Sequence, residues 1–166
     1  AFQSLDTPEE QWLMNAQEEF HAASTMKTPV MLEVYKQVET GELSFNDSVL
    51  VKNEFYSIVD SSTYSLSPED ESYNELYEQI GTKQSLRDLV YHMIISSSNL
   101  ATNIVIELAD AKRVTQTMRD LGANDIQVRR GVEDGKAYRQ GLNNTTTAYD
   151  LMRLFKAIAQ HDVVST

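Results

Sequence analysis

Phe20-His21-Ala22-Ala23-Ser24-Thr25-Met26-Lys27 opens the stretch on which the fold turns. From Ser24 onward, Met26, Val30, Met31, Val34, Tyr35 and Val38 recur at steps of three and four residues as far as Gly41. That spacing predicts a helix of about four turns, buried on one face and closed by a C′ glycine. Pro29 falls near the first turn, where a missing amide costs least, so at most a local bend is expected. Ser24 and Lys27, three residues apart, share a helix face one turn apart. A free serine hydroxyl is a weak nucleophile. A neighbouring amine activates it once burial or other cations lower the amine's pKa. The leading amides of a helix suit a developing oxyanion, with the amide of Ser24 as the natural donor. Because a Ser-x-x-Lys spacing arises by chance about once in a chain of this length, the pair alone assigns no chemistry.

Further along, Ser85-Leu86-Arg87-Asp88 resembles a capping box, and Leu86, Leu89, Val90, Met93 and Ile94 give the next helix its buried face. That helix stops at Ser96-Ser97-Ser98-Asn99, and another runs from Leu100 to Ala109 beyond the polar break. Ser97 and Asn99 place a hydroxyl and a carboxamide two residues apart in this break. Such a run also caps helices, which is the simpler reading when it stands alone. Val114 to Leu121 forms a third pattern ended by Gly122, and a fourth begins near Thr146 with Ala148, Leu151, Met152, Leu154, Phe155 and Ile158 facing inward. The N-terminal residues read as an extended pair, Ala1–Leu5 and Gln11–Met14, around a turn at Asp6-Thr7-Pro8-Glu9. Ser57 to Glu71 reads as a long surface excursion, followed by a short acidic helix ending at Gly81. Arg129 to Asn144 reads as a polar, glycine-punctuated loop. No internal repeat or linker divides the chain.

Composition narrows the function classes. The 166 residues suit about one domain. Twenty-five acidic against fourteen basic residues give a net charge of −11, a field that repels a phosphate backbone and argues against nucleic acid as a partner. No stretch approaches the roughly 20 consecutive apolar residues of a membrane-spanning helix, and no basic-then-apolar signal segment opens the chain. Cysteine is absent, which excludes disulfides, thiolate metal sites and a Cys nucleophile. There is no H-E-x-x-H, no calcium-loop spacing and no glycine-rich phosphate loop, so no metal and no cofactor is called for. His21, His92 and His161 could each serve a Ser-His-Asp hydrolase, but no G-x-S-x-G elbow accompanies them.

Taken together, Ser24-Thr25-Met26-Lys27 and Ser97-Ser98-Asn99 resemble the S-x-x-K and S-x-N motifs of the serine β-lactamase and penicillin-binding D,D-peptidase superfamily. The resemblance reaches further. Phe20 to Lys27 is similar to the class A entry into the nucleophile helix, Met93 to Asn103 to the class A second-motif segment, and Asn144-Thr145-Thr146-Thr147 to the D-T-T-T that closes the class A omega loop. It implies an α+β fold, here mostly the helical subdomain plus an N-terminal β-hairpin, in a single domain over residues 1–166. It implies Ser24 as the acylated nucleophile, Lys27 as its amine partner, Ser97 as the proton relay to the leaving nitrogen and Asn99 as the holder of the substrate's acyl amide. Asn103 is implied as a structural carboxamide behind the loop.

The departures from the family pattern are specific. Ser98 stands where the family carries Asp, which bears on the loop's support more than on its chemistry. Class A enzymes take the deacylating base from R-x-E-x-x-L-N. Here Arg130-Gly131-Val132-Glu133-Asp134-Gly135 sets Glu133 one residue later, with Leu142-Asn143 much farther on. Glu133 is the candidate base and Asp134 the neighbour that would otherwise point into the cleft; surface loop carboxylates are the other reading of both. Asn144 in place of Asp removes a charge pair expected to pin the loop through Arg130. No K-[ST]-G triplet is present, so the domain is expected to be incomplete, with a further segment or a second copy finishing the sheet. The resemblance implies β-lactam hydrolysis, in the periplasm or outside the cell. A D,D-peptidase or esterase acting on an acyl peptide or ester, and a non-catalytic fragment or degenerate binding module, remain alternatives.

Overall fold

The computed structural model describes residues 1–70 and 74–164. Glu71, at the end of the expected excursion, and the terminal Ser165 and Thr166 lie outside the described residues. The architecture is the mixed α+β one expected, with helices dominating and strands reduced to short pairs.

The N-terminal hairpin forms from β1 (Phe2–Gln3) and β2 (Gln11–Trp12), antiparallel with Phe2 opposite Trp12. Next come β3 (Phe20–His21), a 3-10 turn over Ala23–Met26 and α1 (Lys27–Glu39). The helix ends as its sequence predicts: Gly41 takes φ +76°, a conformation that side-chain-bearing residues avoid. Pro29 sits in the first turn, where its absent N–H has no helical partner to lose. Beyond α1 come β4 (Ser48–Leu50), β5 (Phe55–Tyr56), β6 (Thr63–Tyr64) and β7 (Lys83–Ser85), pairing β4 with β7 and β5 with β6. The excursion expected from Ser57 begins as the tip of the β5–β6 hairpin. Its serines and aspartate close the turn on themselves: Ser57 N donates to Ser62 O at 2.8 Å, and Ser62 Oγ donates to the Asp60 carboxylate at 2.7 Å. The acidic helix before Gly81 is a 3-10 helix over Asn74–Gln79.

Three helices follow closely, α2 (Leu86–Ile95), α3 (Asn99–Ala109) and α4 (Ala111–Asp120), the last starting three residues before its apolar pattern. Ser85 caps α2 as the local sequence predicts. Its Oγ accepts from Asp88 N at 3.1 Å, and its hydroxyl donates to the Asp88 carboxylate at 2.6 Å. The expected loop 129–144 contains a further short helix, α5 (Gly135–Arg139). Five residues are too few to show a helical period, which is why the pattern missed it. The loop ends in β8 (Thr145–Thr146), which pairs with β3 so that His21 faces Thr145, and α6 (Ala148–Ala159) follows.

Met26, Val30 and Val34 of the α1 segment pack with Leu89, Met93, Leu100, Val105 and Met118 into one core, with α2, α3 and α4 around α1. The inner face of α1 is not purely apolar: Glu33 and Gln37 are buried there too. Glu33 accepts from Gln37 Nε2 at 2.7 Å and from the Thr117 hydroxyl at 2.5 Å, and Arg113 Nε lies 3.2 Å away. Gln37 also donates to Ala109 O at 2.8 Å. Leaving any of these groups stranded would cost about 1–3 kcal/mol, so α4 is held by polar satisfaction as well as by packing. On α6 the expected inward set is corrected. Leu154 and Ala157 are buried but Phe155 is 56% exposed, because the buried Asp150 turns the helix toward the amides of Asp125 and Ile126. Phe155, Leu151, Phe20 and Phe2 instead line an apolar groove of about 450 Å³ beside the N-terminal hairpin. Among the described residues no helix is long and apolar enough to cross a membrane.

Asp134 joins two parts of the fold. It caps α5 by accepting from Ala137 N at 3.0 Å, and it also accepts from Ser57 Oγ at 2.9 Å and Ile58 N at 3.0 Å on the hairpin tip. Burial pushes its carboxyl up, but those donors, with the Arg130 charge, outweigh burial and hold it below the usual aspartate range.

Three outcomes follow for the fold. Leu89→Ala, at a fully buried site, is expected to cost about 2–5 kcal/mol and to lower Tm by several degrees in a thermal melt. Tyr91→Ala, on the exposed face of the same helix, is expected to stay within about 0.5 kcal/mol. A carboxyl lowered by folding stabilises above its unfolded pKa of about 3.9 and loses that stabilisation as pH falls toward the lowered value. Protection of the Ile58 and Ala137 amides from hydrogen exchange, normalised to intrinsic rates, is therefore expected to hold at neutral pH and to fall below about pH 4. The Val51 amide, bonded to Thr82 O, should keep its protection over the same range.

Candidate active site

The 3-10 turn before α1 presents Ser24 at the surface of a cleft of about 410 Å³. Two bonds shape that turn. Ala22 N donates to Asn144 O at 2.9 Å, and the Thr25 hydroxyl donates to Ala22 O at 2.5 Å. Ala23 takes φ +45°, so the chain reverses directly before the serine, and Ser24 lies in a first turn whose leading amides have no helical acceptor. Lys27, one turn on, is 2% exposed. Its ammonium donates to Ser97 O at 2.5 Å, Ser97 Oγ at 2.9 Å and Asn99 Oδ1 at 2.9 Å. The Ser97 hydroxyl in turn donates to Ser24 Oγ at 3.0 Å. Ser24, Lys27, Ser97 and Asn99 thus form one connected cluster across the α2–α3 junction.

Ser97 takes φ +53°, a left-handed conformation costing about 1–2 kcal/mol. The Lys27 ammonium offsets that cost, since it binds both the carbonyl and the hydroxyl of this residue. Ser98 has the capping role suggested by its residue type. It is fully buried, its Oγ accepts from Ala101 N at 3.1 Å, and its carbonyl accepts from the Thr102 hydroxyl at 2.6 Å. The serine that replaces the family aspartate therefore supports the α3 start without a charge. Its neighbours on either side face Lys27.

The opposite wall is the segment 130–139. Asn103, buried on α3, grips Val132 from both sides: its Oδ1 accepts from Val132 N at 2.7 Å and its Nδ2 donates to Val132 O at 3.0 Å. The Tyr64 hydroxyl also donates to Val132 O at 3.3 Å, and burial pushes that phenol up to about 12. A Cβ at Gly131 would collide with the Asn103 carboxamide, so glycine is required for the close approach.

Asn144 corrects an expectation. The missing charge pair does not leave the segment unpinned. Asn144 Oδ1 accepts from Arg129 N at 2.8 Å and Arg130 N at 3.2 Å, while its Nδ2 donates to Arg130 O at 2.9 Å. A carboxamide can accept and donate at once, which a carboxylate cannot. The buried Arg130 guanidinium closes the segment's two ends on Leu142 O at 3.1 Å and Asn143 Oδ1 at 3.1 Å.

Glu133 and Asp134, adjacent in sequence, part ways in space. Asp134 is 2% exposed with its carboxylate occupied, so the surface reading fails for it. Glu133 is exposed, takes φ +61° and lines the same cleft as Ser24 and Asn99. Its carboxylate makes no hydrogen bond or ion pair with the described residues. His21 and Tyr138 meet edge to face at 6.4 Å on the cleft rim. Neither Tyr138 nor the Ser57 bond to Asp134 carries a sequence signal: Ser57 stands in a serine-rich stretch 77 residues from its partner.

A family model described as a β-lactamase enzyme family matches residues 1–166. The β-lactamases PSE-4 and CARB-3 of Pseudomonas aeruginosa are each 29% identical over 146 residues, covering 86% of this chain and 46% of theirs. The chain thus spans about half the length of these curated relatives. A β-lactamase structure from Sphaerobacter thermophilus superposes with TM-score 0.76 at 27% identity, over 94% of this chain and 54% of that one. PBP-A shares the fold at TM-score 0.71 and 23% identity, over 90% and 51%. The chain belongs to the β-lactamase enzyme family, within the serine β-lactamase and penicillin-binding superfamily.

Proposed function

We propose that this chain carries the acylating centre of a class A type serine β-lactamase, with Ser24 as nucleophile and Glu133 as the base that releases the acyl group. One observation carries the proposal. The Ser24, Ser97, Lys27 and Asn99 side chains are hydrogen-bonded into one cluster, and Glu133, whose carboxylate has no partner among the described residues, lines the same cleft. The Ser24 oxygen bonds to the β-lactam carbonyl carbon as its proton passes to the Lys27 amine in its neutral form. The ring C–N bond then breaks, and the proton travels from Lys27 through Ser97 to the departing nitrogen. Asn99 holds the acyl amide of the substrate through its carboxamide, whose Oδ1 also accepts from Lys27. In the second half, Glu133 takes a proton from water as the water oxygen attacks the ester. The C–O bond to Ser24 then breaks, the proton taken by Glu133 returns to the Ser24 oxygen, and the acid is released with both residues restored.

The cationic group for the substrate carboxylate and the second oxyanion donor lie outside residues 1–166 in this scheme, in further chain or in a second copy. The site of action is the periplasm or the exterior of the cell, where β-lactams are met. A D,D-peptidase or esterase relative is the second reading, favoured by the displaced register of Glu133 after Arg130. The two differ in the lifetime of the acyl-enzyme.

Intact-mass measurement of full-length protein with benzylpenicillin is expected to show a transient adduct of one penicillin, mapped to Ser24, with steady turnover of a chromogenic cephalosporin. Ser24→Ala is expected to abolish the adduct and to lower kcat/KM by about 10³-fold or more. An adduct lasting for hours would favour the peptidase reading. No adduct at all, or the same adduct on Ser24→Ala, would overturn the serine assignment.

A further inference from the structure

Glu133 is a single unclamped residue between two clamped ones. On its N-terminal side Val132 is gripped through both its N–H and its carbonyl by Asn103 of α3. On its C-terminal side Asp134 is bonded to Ser57 and Ile58 of the β5–β6 hairpin tip. Between them Glu133 holds φ +61°, a conformation glutamate rarely adopts, so its own preferences do not keep it there. Capping α5 accounts for the bond to Ala137 N alone. The two bonds to the hairpin do nothing for the helix. A second tie runs parallel to them, from Lys136 on α5 to Asp60 at 2.7 Å and to Ser62 Oγ at 2.6 Å.

Resting on the assignment of Glu133 as the deacylating base, we infer that Asp134 is a positioning residue for deacylation. It ties the Glu133 segment to the hairpin tip at Ser57–Ser62 and so holds the Glu133 carboxylate over the Ser24 ester. The hairpin tip is then part of the hydrolytic apparatus while touching no substrate. The bonds that join Ser24, Lys27, Ser97 and Asn99 run within the Ser24 turn, α1 and the α2–α3 junction, and the hairpin contributes none of them. Acylation and deacylation therefore depend on different parts of the fold, and the tie acts on one step only. A displacement of the base by about 1 Å is enough to slow its step by up to about 100-fold.

The experiment separates the two steps in full-length protein, using benzylpenicillin and time-resolved intact mass to follow formation and decay of the Ser24 adduct. Asp134→Asn keeps the size of the side chain but sets an amide N–H against one of the donors, either Ile58 N–H or the pair from Ser57 and Ala137. It is expected to form the adduct within about threefold of the wild-type rate and to lose it about tenfold or more slowly. Ser57→Ala, which removes one hydroxyl and leaves the cap intact, is expected to show the same selectivity more weakly. Glu133→Gln is expected to block decay, and adding either substitution to it is expected to slow decay no further, because the group being positioned is already gone. If either variant slows formation and decay alike, or slows decay further in the Glu133→Gln background, Asp134 is a structural cap only and the inference fails while the base assignment stands. If Glu133→Gln decays at the wild-type rate, the base assignment itself falls, and Asp134 has nothing to position.

Discussion

A buried ammonium must be surrounded by oxygen, because removing it from water costs several kcal/mol unless hydrogen bonds replace the lost hydration. Lys27 meets this demand from a single short segment, taking the carbonyl and hydroxyl of Ser97 and the carboxamide of Asn99. Much else follows. The α2–α3 junction is drawn onto the start of α1, Ser97 is held in a backbone conformation it would not choose, and its hydroxyl is left aimed at Ser24. The apolar contacts of α1 with α2 and α3 bring the three helices together, but the ammonium determines which atoms of the junction face inward. A stability requirement and the geometry proposed for acylation are here one set of bonds.

The opposite wall of the cleft is built on another principle. It has little regular structure, and carboxamides clasp its backbone: Asn103 grips Val132 and Asn144 grips Arg129 and Arg130, each donating and accepting at once. A charge pair at Asn144 would have tied one side chain to another. The amide instead ties the peptide backbone directly. This suits the proposed role of the segment, which is to place the Glu133 carboxylate, since backbone position and not side-chain reach decides where Glu133 lies. It also leaves the buried Arg130 guanidinium free to close the segment's two ends on Leu142 and Asn143.

What was legible in the sequence follows from the range of the interactions. Gly41 and Ser85 act on neighbours within a turn, so the end of α1 and the cap of α2 were readable. So were Ser24 and Lys27 on one helix face, because a helix converts spacing into direction. Glu133 was readable as a residue type and not in register, since the segment around it follows no period. The five residues of α5 and the two-residue strands β3 and β8 are too short for any periodicity to show. Burial of Glu33 and Gln37 on the inner stripe of α1 could not be seen, because Glu33's partners Thr117 and Arg113 lie 84 and about 80 residues away on α4 and Gln37's acceptor Ala109 lies 72 residues away on α3. The inward pattern on α6 misplaced Phe155 for the same reason: Asp125 and Ile126 turn Asp150 inward, and nothing near α6 in sequence marks them.

The division between the two walls fits the two steps of the proposed chemistry. The proposed acylation needs a nucleophile, a relay and an amine held in place before substrate arrives, and a cluster locked around the buried Lys27 side chain supplies that with little freedom to move. Deacylation needs a carboxylate that stays exposed, because it must take a proton from a water lying between itself and the ester. An exposed, unpaired carboxylate cannot be held by bonds of its own without losing its basicity to them. It has to be held through its neighbours. Val132 and Asp134, clamped from α3 and from the β5–β6 hairpin, are where those constraints fall, and the left-handed backbone of Glu133 is the joint left between them.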